Sequence, residues 1–435
     1  MRKLFLYVFF ATAFIWGCKK DDSHIFASSP DQRLNDTIAA YQAKLVGAQY
    51  GWKGLIYPKG GGTYSFYFKF TNANRVQMLS GFDSTSAVTL KESSYRLKAL
   101  QQPSLIFDTY SYLHVLSDPN PYLNGGIIGA GLQSDFEFYF DAASADTIRL
   151  IGRVNGSTAL LIRATQAEST AYTSGQLAKG FLLNKILTYF KRLTVGSVSL
   201  DFYNEPNTQT IKVVDNTGNL LDSTRMVNYY LTLGGIQLAT PVTFGNQSIS
   251  RIDNFNYLPA NQTITCTINN IAATLSPVTV PLKVDLASPR RWWSDAAFAQ
   301  TYWFSVYGFH KDGIDDAFGI LNLKSGTLPY YYLIYFPKYG GNIDLFAPAF
   351  LDTAANSLKL DYGTAPKAPA FTSDGRAVFS LSRDLGNYPT TGPAALSKAL
   401  LYTTSGFYLV QTSASTYDMV NAENGLSWIS WISSQ

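Results

Sequence analysis

The chain has 435 residues and a formal charge of +4, with 34 Lys and Arg against 30 Asp and Glu. That small excess is spread without a basic block, which argues against a nucleic-acid-binding surface. Only 15% of residues are charged, while 29 Tyr and 28 Phe make the chain aromatic-rich, the profile of a β-rich extracytoplasmic protein.

The N-terminus reads as a targeting segment. Arg2 and Lys3 precede an apolar run over 4–16, too short for a bilayer core of roughly 30 Å, which takes about 20 helical residues. Residues 1–17 therefore read as a signal peptide, to be set aside from the fold. Gly17-Cys18 supplies the small residue that a signal peptidase needs before its cut and the thiol that is acylated. Cys18 is thus the expected mature start, anchored by a diacylglyceryl group and an N-acyl chain. More than one acyl chain is what stable anchoring requires. Lys20-Asp21-Asp22 resembles the surface-export signal of Bacteroidota lipoproteins, so the expected location is the outer face of the outer membrane. Loss of Arg2 and Lys3 lowers the formal charge by two, to near neutrality. Acylation of Cys18 leaves Cys266, the second of 2 cysteines, without an intrachain disulfide partner. Its segment, 263–268, alternates as a strand, and we place Cys266 on the face away from the isoleucines as a packed thiol.

A tether over 18–28 leads to a helix. Ser29 is its N-cap, Pro30 its first residue, and Leu34, Ile38, Tyr41, Leu45 and Ala48 follow at helical spacing, with Gly51 as the stop. A strand over 52–57 ends at Pro58 and Gly60-Gly61-Gly62. Tyr64, Phe66, Phe68 and Phe70 then alternate with more polar neighbours, a half-buried strand with an aromatic inner face. After a turn at 72–74 the chain returns over 75–79, and further strands are expected at 94–99, 104–107, 135–140, 147–152 and 159–164. His114 is expected on another, within 112–116. The fold class is mainly β with a few helices (α+β): an N-terminal helix plus an antiparallel meander. Closure into a lipocalin-like barrel is the first expectation and an open sheet packed on the helix the second. Spacing over 176–193 predicts a helix that closes a first domain at 29–193. A β-rich middle region is expected over 194–286. A C-terminal region over 287–435 opens with a helix predicted at 288–306 and continues as strands.

Motifs for chemistry are scarce. His24, His114 and His310 are isolated, and no zinc, nucleophilic-serine, phosphate-loop or dinucleotide pattern occurs, so neither a cofactor nor a catalytic residue is assigned. Asp312, Asp315 and Asp316 lack the alternating ligand spacing of a calcium loop and read as a solvated turn. Residues 117–121 with Asn124-Gly125-Gly126 form a polar loop beside the expected barrel, either a mouth loop that touches ligand or a plain turn. Trp292, Trp293, Trp303, Tyr330, Tyr331 and Tyr332 are the candidate ligand-binding residues, able to stack on a sugar or a partner; the alternative is that they belong to the core.

Four stretches carry a family resemblance. They are Tyr50-Gly51-Trp52-Lys53-Gly54 with Tyr57-Pro58, the alternation from Tyr64 to Phe70, His114-Val115-Leu116-Ser117-Asp118-Pro119, and Gly131-Leu132-Gln133-Ser134-Asp135-Phe136-Glu137-Phe138. In these the chain resembles a Bacteroidota surface lipoprotein family catalogued as domain of unknown function 4302. The resemblance covers the first domain and little of the second half. It implies a surface lipoprotein beside an outer-membrane nutrient-uptake system and brings no catalytic residues. Two functional readings follow. One is capture of a glycan, peptide or small nutrient for a TonB-dependent transporter. The other is a surface hydrolase, glycan- or peptide-directed, whose carboxylates meet only in the fold.

Overall fold

The computed structural model describes residues 29–206, 208–215, 226–244, 247–341 and 343–434. Helix α1 (Pro30–Val46) starts where the sequence places it: Ser29 accepts from the Gln32 amide at 3.2 Å. Eight antiparallel strands follow in simple meander order and close into a barrel. They are β1 (Trp52–Tyr57), β2 (Tyr64–Phe70), β3 (Arg75–Ser80), β4 (Lys91–Ala99), β5 (Pro103–Phe107), β6 (Glu137–Ala143), β7 (Thr147–Gly152) and β8 (Thr158–Arg163). Closure comes from β8 pairing with β1, with Trp52 opposite Arg163. The first of the two expected architectures is the one formed.

An eight-stranded barrel is just wide enough for side chains to fill it, and this one is filled with aromatics. Phe66, Phe68 and Phe138 are all buried to within 1% exposure. Phe66 and Phe68 stack with centroids 5.3 Å apart, and Phe107 leans on Phe68 at 5.9 Å. Gly54 sits opposite Phe66 in the register, and a Cβ there would lie 2.6 Å from the Phe68 ring. The glycine is the gap into which the ring fits. The two barrel ends differ. Short turns at 71–74, 100–102 and 144–146 lie at one end, covered by α1. There Tyr41 stacks on Phe140 at 3.8 Å, and the Trp52 indole donates to the Leu45 carbonyl at 2.9 Å. Long connections at 58–63, 81–90, 108–136 and 153–157 lie at the other.

The segment expected as one helix over 176–193 divides in two. After a short helix α4 (Gln166–Thr173), a 3-10 helix runs over Gln176–Lys185 and a strand begins at Phe190. The reason is tertiary. Leu177, Leu183 and Ile186 point into the end of a second barrel, and Gly180 lets the backbone press on Leu231, whose side chain would lie 2.4 Å from a Cβ. The apolar spacing was real, but it serves a plug and not a helix face.

The second barrel is again an eight-stranded closed meander: β9 (Phe190–Val195), β10 (Val198–Glu205), β11 (Thr210–Val214), β12 (Met226–Leu231), β13 (Ile236–Phe244), β14 (Gln247–Leu258), β15 (Thr263–Ile268) and β16 (Ile271–Val278). Strand β9 crosses residue 193, where the sequence ends the first domain, so the first barrel stops at Arg163 and the second starts at Phe190. Cys266 corrects a further expectation. The two-residue period of a strand puts Ile264, Cys266 and Ile268 on one face, and all three are buried inside the barrel, where burial pushes the thiol up to about 12.

The C-terminal region is a curled sheet of thirteen strands, β17 to β29, from Trp303 to Ser433. The predicted helix over 288–306 stops earlier, as α5 (Ser288–Ala299), because Gln300 turns left-handed (φ 54°) and Trp303–Ser305 joins the sheet as β17. This sheet packs against the second barrel through Phe190 with Tyr408, Val410 and Val420. Tyr189 donates to Asp418 at 2.6 Å across the same contact.

Gly54→Ala tests the aromatic packing. The Phe68 ring is hemmed by Phe66, Phe70 and Phe107 and cannot swing clear. The expected loss is about 1–3 kcal/mol of stability, measured by denaturant unfolding, with no change in the second barrel.

Candidate functional site

Strand β2 alternates as the sequence implies, yet its outward residues Ser65 and Tyr67 are buried too. The second barrel covers them. Its plugged end abuts the side of the first barrel, where Ser65 donates to the Leu231 carbonyl and Gln209 donates from Nε2 to the Gly81 carbonyl at 3.1 Å. Tyr67 stacks on Tyr172 at 5.0 Å. Where the barrels diverge from this seam they leave a cleft of about 610 Å³. That volume lies within the range of about 300–1,000 Å³ usual for small-molecule sites.

Three walls form the cleft. Tyr64, Phe82, Asp83 and Ser84 come from the long-loop end of the first barrel, residues 121–125 from the β5–β6 connection, and Phe181, Asn184, Lys185, Pro206 and Gln209 from the second barrel and its plug. The polar loop flagged in the sequence is therefore a wall of this cleft. It is built rigidly. Asn120 accepts from the Tyr122 amide at 3.1 Å and starts α3 (Pro121–Asn124), which Gly125 ends at φ 70°. Asn124 is buried and donates to the Val115 and Asp118 carbonyls, each at 2.8 Å, while accepting from the Gly126 amide. Lys59 and Gly60 donate backbone N–H groups to the Gln133 and Leu132 carbonyls, each at 3.0 Å, and so clamp the β1–β2 hairpin to the same loop. Tyr110 donates to Asp118 at 2.6 Å, which holds the Asp118 carboxyl below its ordinary value.

His114 anchors the base of this connection. The residue lies not on a strand but in helix α2 (Tyr112–Val115), whose Leu113 and C-cap Leu116 are buried in the first barrel's core. The Ser111 amide donates to His114 Nδ1 at 3.2 Å, and Nε2 faces the Phe107 carbonyl at 3.2 Å. These neighbours require the neutral ring protonated on Nε2. Burial lowers the His114 pKa, and Lys91 adds to the effect. Asp135, from the same family-like stretches, is buried and accepts from the Val154, Asn155 and Ser157 amides and the Ser157 hydroxyl, tying the β7–β8 connection to the loop.

Two residues of the lining carry a polar atom of note. Tyr64 is 4% exposed, and its hydroxyl makes no hydrogen bond among the described residues; burial raises it to about 12, so it is a neutral O–H. Gln209 is also 4% exposed, with Oε1 unpaired but sealed from solvent and its backbone in the left-handed region at φ 49°. A buried unmatched atom such as Gln209 Oε1 costs stability of order 1–3 kcal/mol. Asp83 is the one carboxylate in the lining, and its Oδ1 already accepts from the Thr85 and Ser86 amides. Hydrolysis by paired carboxylates takes a second acid about 5–10 Å away, which this lining does not supply. Among the described residues, no group of His, Cys, Asp and Glu gathers as a metal set.

The chain belongs to the DUF4302 family, a domain of unknown function. The family match spans residues 22–256, more than half the chain and every residue of the cleft. No curated protein matches the sequence. The DUF4302 segment thus takes in the first barrel and the second as far as β14, and the thirteen-stranded sheet lies outside it.

The residues singled out by sequence lie elsewhere. Cys18, Lys20, Asp21 and Asp22 fall outside the described residues. Trp292 and Trp303 are buried core residues of the C-terminal sheet, stacked at 5.8 Å, with the Trp303 indole donating to the Trp292 carbonyl. Trp293 donates to buried Asp344 at 2.7 Å. A bulge in β20 (Leu328–Tyr339) splits the tyrosine run. Tyr330 is buried and donates to the Ser305 carbonyl, Tyr331 is exposed, and Tyr332 pairs with Tyr302 through their hydroxyls at 2.9 Å. The six aromatics do not share one surface. His310 is held by Asp315 at 2.6 Å and stacked on Trp428, while Asp316 caps the turn at Ile320.

A group whose folded pKa is depressed contributes stability above its unfolded value and loses it as pH falls. His114 should therefore loosen the 108–136 connection on acidification below about 6.5. The expected result, after correction for the intrinsic pH dependence of exchange, is lower amide protection in that segment at acid pH, with the α1 end of the barrel unchanged. Equal protection on both sides of that value would refute the anchoring role.

Proposed function

We propose that this protein is a lipid-anchored lipoprotein of the outer-membrane surface that captures a ligand in the inter-barrel cleft, beside a TonB-dependent transporter. The single observation that carries the capture reading is the cleft itself. The loop that forms one wall is fixed by hydrogen bonds to backbone groups, and the Tyr64 hydroxyl lines the cleft with no partner among the described residues. Preformed walls lower the ordering cost of binding, and an unpaired hydroxyl is free to meet a bound partner.

The N-terminal pattern supports the address. Gly17-Cys18 offers the acylation site and Lys20-Asp21-Asp22 the export signal. The chain enters the first barrel through α1, at the short-turn end, whereas the cleft is built at the long-loop end. This arrangement supports a reading in which an anchor at Cys18 leaves the cleft free to meet a ligand.

Two measurements test this. Cys18→Ala should move the protein from the membrane fraction to the soluble fraction, and unchanged retention would sink the anchor. A thermal-shift screen over glycans, peptides and small nutrients should give stabilisation with at least one class, since a ligand at 100 times its Kd adds about 2.7 kcal/mol. A flat response to every class would sink capture.

A further inference from the structure

Resting on the capture reading, we propose that the cleft takes a neutral carbohydrate, with the Tyr64 hydroxyl as its specificity-determining hydrogen-bonding group. Tyr64 presents a neutral phenolic O–H with no partner among the described residues, able to donate or to accept. Gln209 braces the wall behind it, its Nε2 committed to the Gly81 carbonyl and its Oε1 sealed from solvent. A ligand hydroxyl can meet the phenol in either sense. Sugars carry several hydroxyls on a small frame.

The rest of the lining agrees. Lys185 and Asp83 are the two charged side chains, one of each sign, so the cleft has no net charge to select an ionic ligand. Phe82 and Phe181 are aromatic residues of its lining, and Tyr122 stands at the rim with 95% of its surface exposed. A pyranose ring has an apolar C–H face to lay on an aromatic ring and a hydroxylated edge to meet amides. A peptide would gain its main-chain hydrogen bonds from a free sheet edge, and both barrels around the cleft are closed.

Tyr64→Phe and Tyr122→Ala isolate the binding role from the structural one. The Tyr64 hydroxyl bonds nothing among the described residues, and the Tyr122 ring is nearly free in solvent, so neither change should lower the melting temperature. Calorimetric titration with neutral disaccharides (maltose, cellobiose, lactose and gentiobiose) and their longer oligomers is the experiment, with a set of short uncharged peptides as the second arm. Saccharide binding to the full chain is expected, weakened roughly threefold to tenfold by Tyr64→Phe and also weakened by Tyr122→Ala. Saccharide affinity untouched by both variants would overturn the assignment to this cleft. Peptide binding that falls in Tyr122→Ala, with no saccharide binding, would overturn the carbohydrate class and leave capture standing. Binding by neither arm, together with a flat thermal-shift screen, would remove both.

Discussion

The seam between the two barrels governs what this protein can do. One amide makes it visible: Gln209 reaches from the β10–β11 turn to the Gly81 carbonyl of the other barrel. Beside it, Ser65 donates to the Leu231 carbonyl. These bonds run between side chains on one barrel and backbone on the other, so they fix relative position tightly. The cleft is the space left where the seam ends, and its shape follows from the docking angle and not from either barrel alone. Each barrel interior is filled, the first by stacked phenyl rings and the second by aliphatics around the plug. A single barrel of this size would offer a ligand little beyond its loops; two of them side by side offer a pocket.

Rigidity is distributed in keeping with that division. The short-turn end of the first barrel is sealed by α1 through aromatic stacking and the Trp52 indole bond. The long-loop end carries buried polar residues that face inward to backbone: Asn124, His114 and Asp135 each satisfy two or more main-chain groups. A connection as long as 108–136 would ordinarily move. Here three side chains hold it, which leaves Tyr122 and Leu123 projecting at the rim while their backbone stays fixed.

The sequence carried the local rules well. Ser29-Pro30 started α1, the aromatic alternation over 64–70 gave an inner barrel face, and the helix-then-meander order anticipated a closed barrel. What it could not carry were relations between distant segments. The 176–193 stretch has helical spacing because Leu177, Leu183 and Ile186 must meet a barrel end, and no local signal separates a plug from a helix. The aromatic density at Trp292, Trp303 and Tyr330 drew attention as a site, but density marks a core as readily as a surface. Gln209 and Tyr64 are 145 positions apart in type of signal as well as sequence: one is an amide in a turn and the other the first ring of an alternating strand. Only the docking of two barrels makes them neighbours of one cavity. The loop at 117–126 was legible as a place, and its partners were not.

Barrel closure also has a temporal meaning. The strand that completes the first barrel, β8, pairs with β1 across more than a hundred intervening residues, and β16 does the same for β9 across about eighty. Neither ring can shut until its last strand is available, so a chain emerging from its N-terminus must hold the outer edge of β1 unpaired for most of that interval. Non-local pairing of this kind folds slowly. The meander order limits the exposure: each new strand pairs at once with the one before it, and a single open margin moves along until it meets β1. Each ring is thus finished in turn, with no strand borrowed from the next.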